Sequence, residues 1–99
     1  MKMYVLVRRD LNETYRNVQG THAVAKYSLH GDPSLYRAWG NSTLVHLGVR
    51  DEHALRRWSD RLSRKGKKFK DFREPDLGGQ LTALACVDDG HVFRKLDLA

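Results

Sequence analysis

Two periodicities of apolar residues run along this chain, and together they predict four strands and two long helices. Residues 3–7 and 81–87 are near-continuous apolar runs, which are typical of strands buried on both faces. Residues 43–49 predict a further strand, and the basic residues 67–72 predict one at the edge of the sheet.

The helices are predicted from apolar residues at helical spacing and from residues that suit helix ends. Asn12 is a suitable N-cap for the first helix, which is expected to end near Gly31. Its predicted buried face comprises Val18, His22, Ala25 and Leu29. Asp32 starts a short segment with a weak helical signal. Asp51 caps another helix that ends at Gly66, and its apolar stripe comprises Ala54, Leu55, Trp58 and Leu62.

The order of these elements predicts an α/β fold. We expect a single-domain sandwich of residues 1–99, with a four-stranded mixed β-sheet flanked by helices on both faces. Strand–helix–strand connections of this length are normally right-handed parallel crossovers. The helices then start at the carboxyl ends of strands, where such sheets bind ligands. The predicted core includes Val5, Val7, Val45, Leu47, Leu84 and Cys86.

Composition agrees with one small globular domain. The 99 residues are 40% hydrophobic and 30% charged, which is an ordinary mixture, and no apolar run approaches the ~20 residues of a bilayer span. The first residues lack the apolar region and cleavage site of a signal peptide. The single cysteine, Cys86, excludes an internal disulfide and is interpreted as a small core residue. We therefore expect a cytoplasmic protein without a membrane partner.

The net charge of +6 is concentrated in one stretch of the chain. Residues 50–73 contain ten lysines and arginines and four acids, so the rest of the chain is neutral overall. Such a field suits a polyanion, because each phosphate contact releases condensed counterions. The alternative is a solvated helix face followed by a lysine-rich turn. The candidate nucleic-acid-binding residues are Arg56, Arg57, Arg61, Arg64, Lys65, Lys67, Lys68 and Lys70.

The sequence contains no recognisable motif for a metal or a cofactor, and we expect neither. The five histidines form no HExxH motif, and His22 and His30 lie too far apart along a helix to chelate one ion. Phosphate-loop and dinucleotide-binding glycine motifs are also absent.

Two segments carry polar residues in an arrangement that suits chemistry. In the first helix, Gln19 and His22 lie one turn apart on adjoining faces, and the neighbouring Gly20 permits the close approach of another backbone. Residues 74–79 form a loop, with Asp76 and two glycines, that leads into the last strand. The place of His22 on the apolar stripe predicts a packing role for it.

Three segments together resemble the type II peptidyl-tRNA hydrolases and their short phage- and bacteria-borne relatives. Residues 5–11, Val-Leu-Val-Arg-Arg-Asp-Leu, are similar to the family's first strand and its Val-Arg-x-Asp-Leu exit. Residues 18–23, Val-Gln-Gly-Thr-His-Ala, resemble its Ala-Gln-x-Ser-His-Ala helix. Residues 72–83 contain the Arg-Glu-Pro-Asp-Leu-x-x-Gln-Leu-Thr-Ala pattern of the short relatives, and residues 95–99 resemble their Lys-Leu-x-Leu-Ala end.

The resemblance implies hydrolysis of the ester that joins a peptide to the 3′-terminal ribose of tRNA, without metal or cofactor. It implies that Asp76 orients or activates the attacking water, and that Gln19 and Gln80 supply amide donors. His22 would lie in the helix that supports the site. The tRNA phosphates would contact the basic stretch.

The sequence departs from the family at one position. Longer members carry a lysine four residues before the motif glutamine, where this chain has Tyr15. The adjacent Arg16 is the candidate for the positive charge, although a guanidinium cannot act as a base. Tyr15 and Trp39 are candidates for stacking on a terminal base.

Two functions therefore remain open from the sequence. One is the hydrolysis of peptidyl-tRNA, which the motif residues favour. The other is a non-catalytic RNA- or protein-binding module on the same fold, with a phage-type regulatory or counter-defence role, which the missing lysine favours. The expected partner is tRNA or peptidyl-tRNA, and a homodimer or a protein partner is a further candidate.

Overall fold

The computed structural model describes all 99 residues and contains four strands and three α-helices. These elements are β1 (Lys2–Arg8), α1 (Glu13–His30), α2 (Pro33–Trp39), β2 (Leu44–Val49), α3 (Glu52–Arg64), β3 (Phe69–Glu74) and β4 (Gln80–Asp88). Short 3-10 turns, Pro75–Leu77 and His91–Phe93, flank β4. The sheet order is β2-β1-β4-β3, with β1 parallel to β2 and the other neighbours antiparallel. The predicted four-stranded mixed sheet is confirmed.

Helices cover both faces of the sheet, as the sequence predicts. On one face, α1 and α2 enclose a cluster that comprises Met3, Val5, Val7, Ala23, Tyr27, Trp39, Ala83, Ala85 and Val87. On the other face, α3 and the C-terminal segment enclose Tyr4, Leu6, Leu47, Val49, Leu55, Leu62, Leu81, Leu84, Cys86 and Phe93. Of the predicted core residues, only Val45 is half-buried, because β2 is an edge strand. No helix has the length and apolar character that crossing a membrane requires.

The predicted capping residues define the helix starts. The Asn12 side chain accepts a hydrogen bond from the Tyr15 amide at 2.8 Å, and the Asp51 side chain accepts one from the Ala54 amide at 2.9 Å. The third strand begins later than predicted, at Phe69. The reason is that the Lys67 amide still donates to the Leu62 carbonyl at 2.9 Å, so it belongs to the turn that ends α3.

The predicted buried face of α1 is wrong, because the helix turns a different side toward the sheet. Val18, His22, Ala25 and Leu29 are exposed, whereas the buried residues are Gln19, Gly20, Ala23 and Tyr27. Small residues at this face let the helix approach the sheet closely: a Cβ added at Gly20 would lie 2.9 Å from Cε1 of His46. Because the face also contains a buried glutamine, hydrophobic periodicity selects the wrong side.

Two matched substitutions in α1 test this corrected phase. Ala23→Asp places a carboxylate in the core and should lower the free energy of unfolding by at least about 3 kcal/mol, the cost typical of an uncompensated buried charge. Ala25→Asp, one half-turn away on the exposed side, should cost less than about 1 kcal/mol, mainly through helix propensity. Urea unfolding followed by circular dichroism measures both. Equal losses would contradict the observed phase.

Candidate functional site

The segments that carry the sequence motifs meet at one end of the sheet. The carboxyl end of β1, the last residue of β3 and the first residues of β4 lie side by side there, under the first half of α1. The most direct contact is between α1 and β3, where Nε2 of Gln19 donates a hydrogen bond to Oε1 of Glu74 at 2.9 Å. These two residues are 55 positions apart in the chain.

Gln19 is fully buried, and both polar atoms of its side chain are engaged. While Nε2 binds Glu74, Oε1 accepts a hydrogen bond from Oγ1 of Thr82 at 2.5 Å. Gln19 is therefore not the free amide donor that the resemblance implies. Its geometry is that of a residue that positions Glu74, because a buried amide is held by the partners that satisfy it.

A β-bulge aims Thr82 at this glutamine. Phe72 of β3 pairs with Ala83, but the next residue, Arg73, pairs with Leu81, so Thr82 has no partner in β3. The extra residue changes the alternation of side chains along β4 and turns the Thr82 hydroxyl toward α1. The bulge thus belongs to the construction of the site.

Glu74 is the most connected carboxylate at this end of the sheet, and it is almost fully buried. It accepts a hydrogen bond from Gln19, and Oη of Tyr15 lies 3.4 Å from Oε1. The bond from Gln19, followed by the Asp76 amide, the nearby His22 and the Tyr15 hydroxyl, holds the pKa of Glu74 below its usual value, although burial opposes this. Glu74 is therefore ionised at neutral pH.

Asp76 lies on the 3-10 turn Pro75–Leu77, with its side chain exposed to water and without a side-chain hydrogen bond. The turn ends at Gly78, which has a φ of +64°, a conformation that favours glycine. Burial, followed by the negative charges of Glu74 and Asp76, raises the pKa of Tyr15. Asp76 is thus a free carboxylate beside the first turn of α1.

His22 does not pack in the core. It is exposed, and its ring lies parallel to that of Phe72, with 4.4 Å between centroids and 5° between planes. Trp39, a candidate for base stacking, is instead buried, and its Nε1 donates to the carbonyl of Thr43 at 2.7 Å. The His22–Phe72 pair is therefore the exposed aromatic surface next to Glu74, whereas Trp39 belongs to the core.

Gln80 is held by a residue that the sequence analysis did not select, Arg8. The buried Arg8 guanidinium binds the Asp10 carboxylate through two nitrogens, at 3.0 and 2.8 Å, and donates to Oε1 of Gln80 at 2.9 Å. It also donates to the carbonyl of Leu81 at 3.1 Å. The exposed Gln80 keeps its Nε2 without a protein partner, so it is the amide that remains free to donate.

Arg16, the candidate for the missing positive charge, follows Tyr15 in the first turns of α1 and is half-exposed. Its Nε is buried without a hydrogen-bond partner. A buried unpaired donor is costly and calls for a partner. Arg16 therefore has free hydrogen-bonding capacity at the start of α1.

The predicted basic stretch does not form one continuous surface. Lys68 and Lys70 lie beside α1 and α2, where Lys68 binds Asp32 of the α2 N-cap at 2.9 Å. Arg57, Arg61 and Arg64 line a cleft along α3, on the opposite face of the sheet. The remaining basic residues are engaged within the protein. Arg56 pairs with Glu52 at 3.3 Å and Lys67 pairs with Asp88 at 2.9 Å, while Lys65 forms the C-cap of α3.

Sequence reasoning missed Glu74, Thr82 and Arg8. Both Glu74 and Arg8 lie inside motif segments, but the sequence pattern places Glu74 in a loop and Arg8 just after a strand. For Arg8, the available signal was a charged residue at the end of a strand whose apolar character predicts burial, whereas Glu74 ends the basic strand β3 and has no such signal. What no periodicity reveals is the bulge at Thr82, because it depends on how β3 and β4 pair.

The network predicts a measurable change in the titration of Glu74. In Gln19→Leu the carboxylate loses its main hydrogen-bond donor, so the pKa of Glu74 should rise toward its ordinary value near 4.5. In the unaltered protein, the lowered pKa of Glu74 stabilises the fold above its ordinary value, and this stabilisation is lost as the pH falls through the folded pKa. The free energy of unfolding of Gln19→Leu should therefore depend less on pH below about pH 5. Carbon-13 NMR of the side-chain carboxyl measures the shift.

Gln80→Leu is the matched control for this titration. It removes the same chemical group at the same end of the sheet, but its partner is Arg8 and not Glu74. The Glu74 pKa should therefore stay where it is in the unaltered protein. A Gln19→Leu protein with an unchanged Glu74 titration would contradict the role of the buried amide.

The chain was also compared with known proteins. No protein-family model matches it, and no curated protein matches it. The contacts at this end of the sheet are therefore what supports a function: a buried Gln19–Glu74 pair, an exposed carboxylate at Asp76, and a free amide at Gln80.

Proposed function

We propose that this protein hydrolyses the ester between a peptide and the 3′-terminal ribose of tRNA. One observation carries the proposal: segments that resemble hydrolase motifs, far apart in the chain, contact each other through their motif residues. Gln19 binds Glu74 and Arg8 binds Gln80, each at 2.9 Å. Residues that only stabilise a sheet need no such convergence of polar groups at the carboxyl end of its central parallel strand, where ligands bind in α/β folds.

Asp76 is the group that acts on water in this proposal. Ester hydrolysis needs a base that removes a proton as the water oxygen bonds to the carbonyl carbon. The exposed Asp76 carboxylate accepts that proton, and returns it to the ribose oxygen when the ester C–O bond breaks. Glu74 directly precedes the turn that carries Asp76, and its carbonyl accepts the Gly79 amide at 2.9 Å, so that Gln19 positions the base indirectly through Glu74.

Gln80 and Arg16 stabilise the negative charge that develops on the carbonyl oxygen. The free Nε2 of Gln80 is a donor whose position is already fixed by the bond between its Oε1 and Arg8. Arg16 contributes positive charge from α1, where it is half-exposed. The charge that a lysine supplies in longer members of the hydrolase family is thus taken over by a group that does not exchange protons.

The His22–Phe72 pair suits the terminal base of the tRNA. RNA-binding proteins recognise unpaired bases by stacking them on aromatic side chains. The exposed His22 ring is held flat by Phe72 and lies next to Glu74, within the same end of the sheet as Asp76. A stacked terminal base would bring the adjoining ribose and its ester toward the carboxylate.

A non-catalytic RNA- or protein-binding module is the second candidate, and one observation favours it. Tyr15 stands where longer hydrolases carry a lysine, and its hydroxyl faces Glu74, which leaves the site without an amine. Under this alternative the same surface binds an RNA end without cleaving it. Binding without turnover of peptidyl-tRNA would support the module and contradict the hydrolase.

Asp76→Asn tests the proposed base. Turnover of an N-blocked aminoacyl-tRNA should fall by about 10²–10⁴-fold, the range typical of a positioned acid–base group. Thermal stability should be unaffected, because the Asp76 side chain makes no hydrogen bond. Asp71→Asn is the control: it removes a carboxylate from the same loop-and-strand region, where Asp71 faces Lys26 at 3.6 Å. Equal activity of the Asp76 variant and the unaltered protein would remove this carboxylate from the mechanism.

His22→Ala separates stacking from packing. As an exposed residue, His22 should contribute at most about 1.5 kcal/mol to stability through its aromatic pair. Loss of a stacked base should raise KM about tenfold or more with kcat unchanged, since base stacking is worth about 1–3 kcal/mol. His22→Phe should restore KM. Loss of the folded state in His22→Ala would instead favour the packing role predicted from the sequence.

A further inference from the structure

A second charged surface lies at the other end of the sheet and on its other face. It is a groove of about 550 Å³ between the second half of α3 and the segment that follows β4. Arg61, Lys65 and Lys67 line it from one side, and Arg94 and Lys95 line it from the other. Asp89 is its only carboxylate. Arg94 and Lys95 lie outside the basic stretch that the sequence singles out.

Most of the positive charge in this groove is uncompensated. Lys67 binds Asp88 at 2.9 Å, but none of the other four cations takes part in a salt bridge. Asp89 accepts a hydrogen bond from the His91 amide, so it is used within the turn that leads to Arg94. Four unpaired cations facing one groove repel one another, and a polyanion relieves that repulsion while releasing its own counterions.

The walls of the groove are held in place by the core. The Arg61 guanidinium lies 5.0 Å from the Trp58 ring centroid, and Trp58 packs against the buried Phe93 at 5.6 Å. Because the Arg61 guanidinium stacks on a ring, its N–H groups stay free to donate to phosphate oxygens. Phe93 ends the turn that directly precedes Arg94, so the two walls are anchored to the same aromatic cluster.

The groove is too far from Asp76 to contact the reacting ester. Lys67 binds Asp88, the last residue of β4, whereas Gln80 is the first. At a rise of about 3.4 Å per residue, the ends of this nine-residue strand are about 27 Å apart. A paired RNA stem of about one helical turn is comparable in length, so a single stem covers this distance along the strand.

We infer that this groove binds the sugar–phosphate backbone of a base-paired RNA stem, at a distance from the RNA end that the proposed function places at Asp76. A single strand is the poorer fit. Single-strand sites combine positive charge with open aromatic platforms, but Arg61 occupies one face of the half-buried Trp58 ring and Phe93 is buried. His91 is the one exposed ring in the lining of the groove. The inference rests on the proposed function only in naming the RNA as tRNA; the groove acts on affinity and not on the chemical step.

The test uses the double variant Arg94→Gln/Lys95→Gln and deacylated tRNA, which contains no ester. Affinity is measured over a range of KCl concentrations, together with that of an RNA hairpin of about ten base pairs and a single strand of equal length. The log–log salt slope for tRNA and hairpin should become shallower by about one for each cation removed. Turnover of peptidyl-tRNA should show a raised KM with kcat unchanged.

Lys26→Gln/Arg37→Gln is the matched control, because it removes the same charge from α1 and α2 on the opposite face. Its salt slope should equal that of the unaltered protein. Equal effects of the two double variants, an unchanged slope in the groove variant, or equal affinity for hairpin and single strand would each overturn the inference. If the unaltered protein binds RNA through the groove but does not hydrolyse peptidyl-tRNA, the proposed function alone is overturned.

Discussion

The buried hydrogen bonds of Gln19 are the constraint on which the rest of this end of the molecule depends. The Gln19 amide and the Glu74 carboxylate are removed from water there, and their burial is tolerated because hydrogen bonds between them and from Thr82 satisfy these groups. The pair fixes the rotation of α1 about its axis, since Gln19 must face Glu74. It also requires Thr82 on the same face, which explains the bulge in β4.

This constraint explains why the sequence predicts the sheet and α3 correctly but places the wrong face of α1 against the core. Strands and α3 are stabilised by apolar burial, and their patterns record it: Leu55 and Leu62 are buried as predicted. In α1 the buried positions are a glutamine, a glycine, an alanine and a tyrosine. A helix that packs through small and polar residues leaves larger apolar ones, such as Val18 and Leu29, in solvent.

The candidate site was predictable only in part, for a related reason. Asp76 stands out because a turn and paired glycines mark its loop, and Gln80 because its segment resembles a known motif; both are exposed to water. Glu74 ends a strand one residue before that turn, and its importance follows from contacts with Gln19 and Tyr15 that only the register of β3 against β4 creates. Side-chain roles fixed by strand pairing are not encoded in local patterns.

The distribution of charge separates the two proposed roles, ester hydrolysis and RNA binding, between the two ends of the sheet. Under the proposed function, Glu74 and Asp76 bring carboxylates to the end where a proton acceptor is needed. Under the inference drawn for the groove at Arg61 and Arg94, its cations would attract phosphates without pairing with Asp76, because a separation near 27 Å is several Debye lengths at physiological salt. On these two proposals, affinity and chemistry are compatible in 99 residues because the sheet holds them apart.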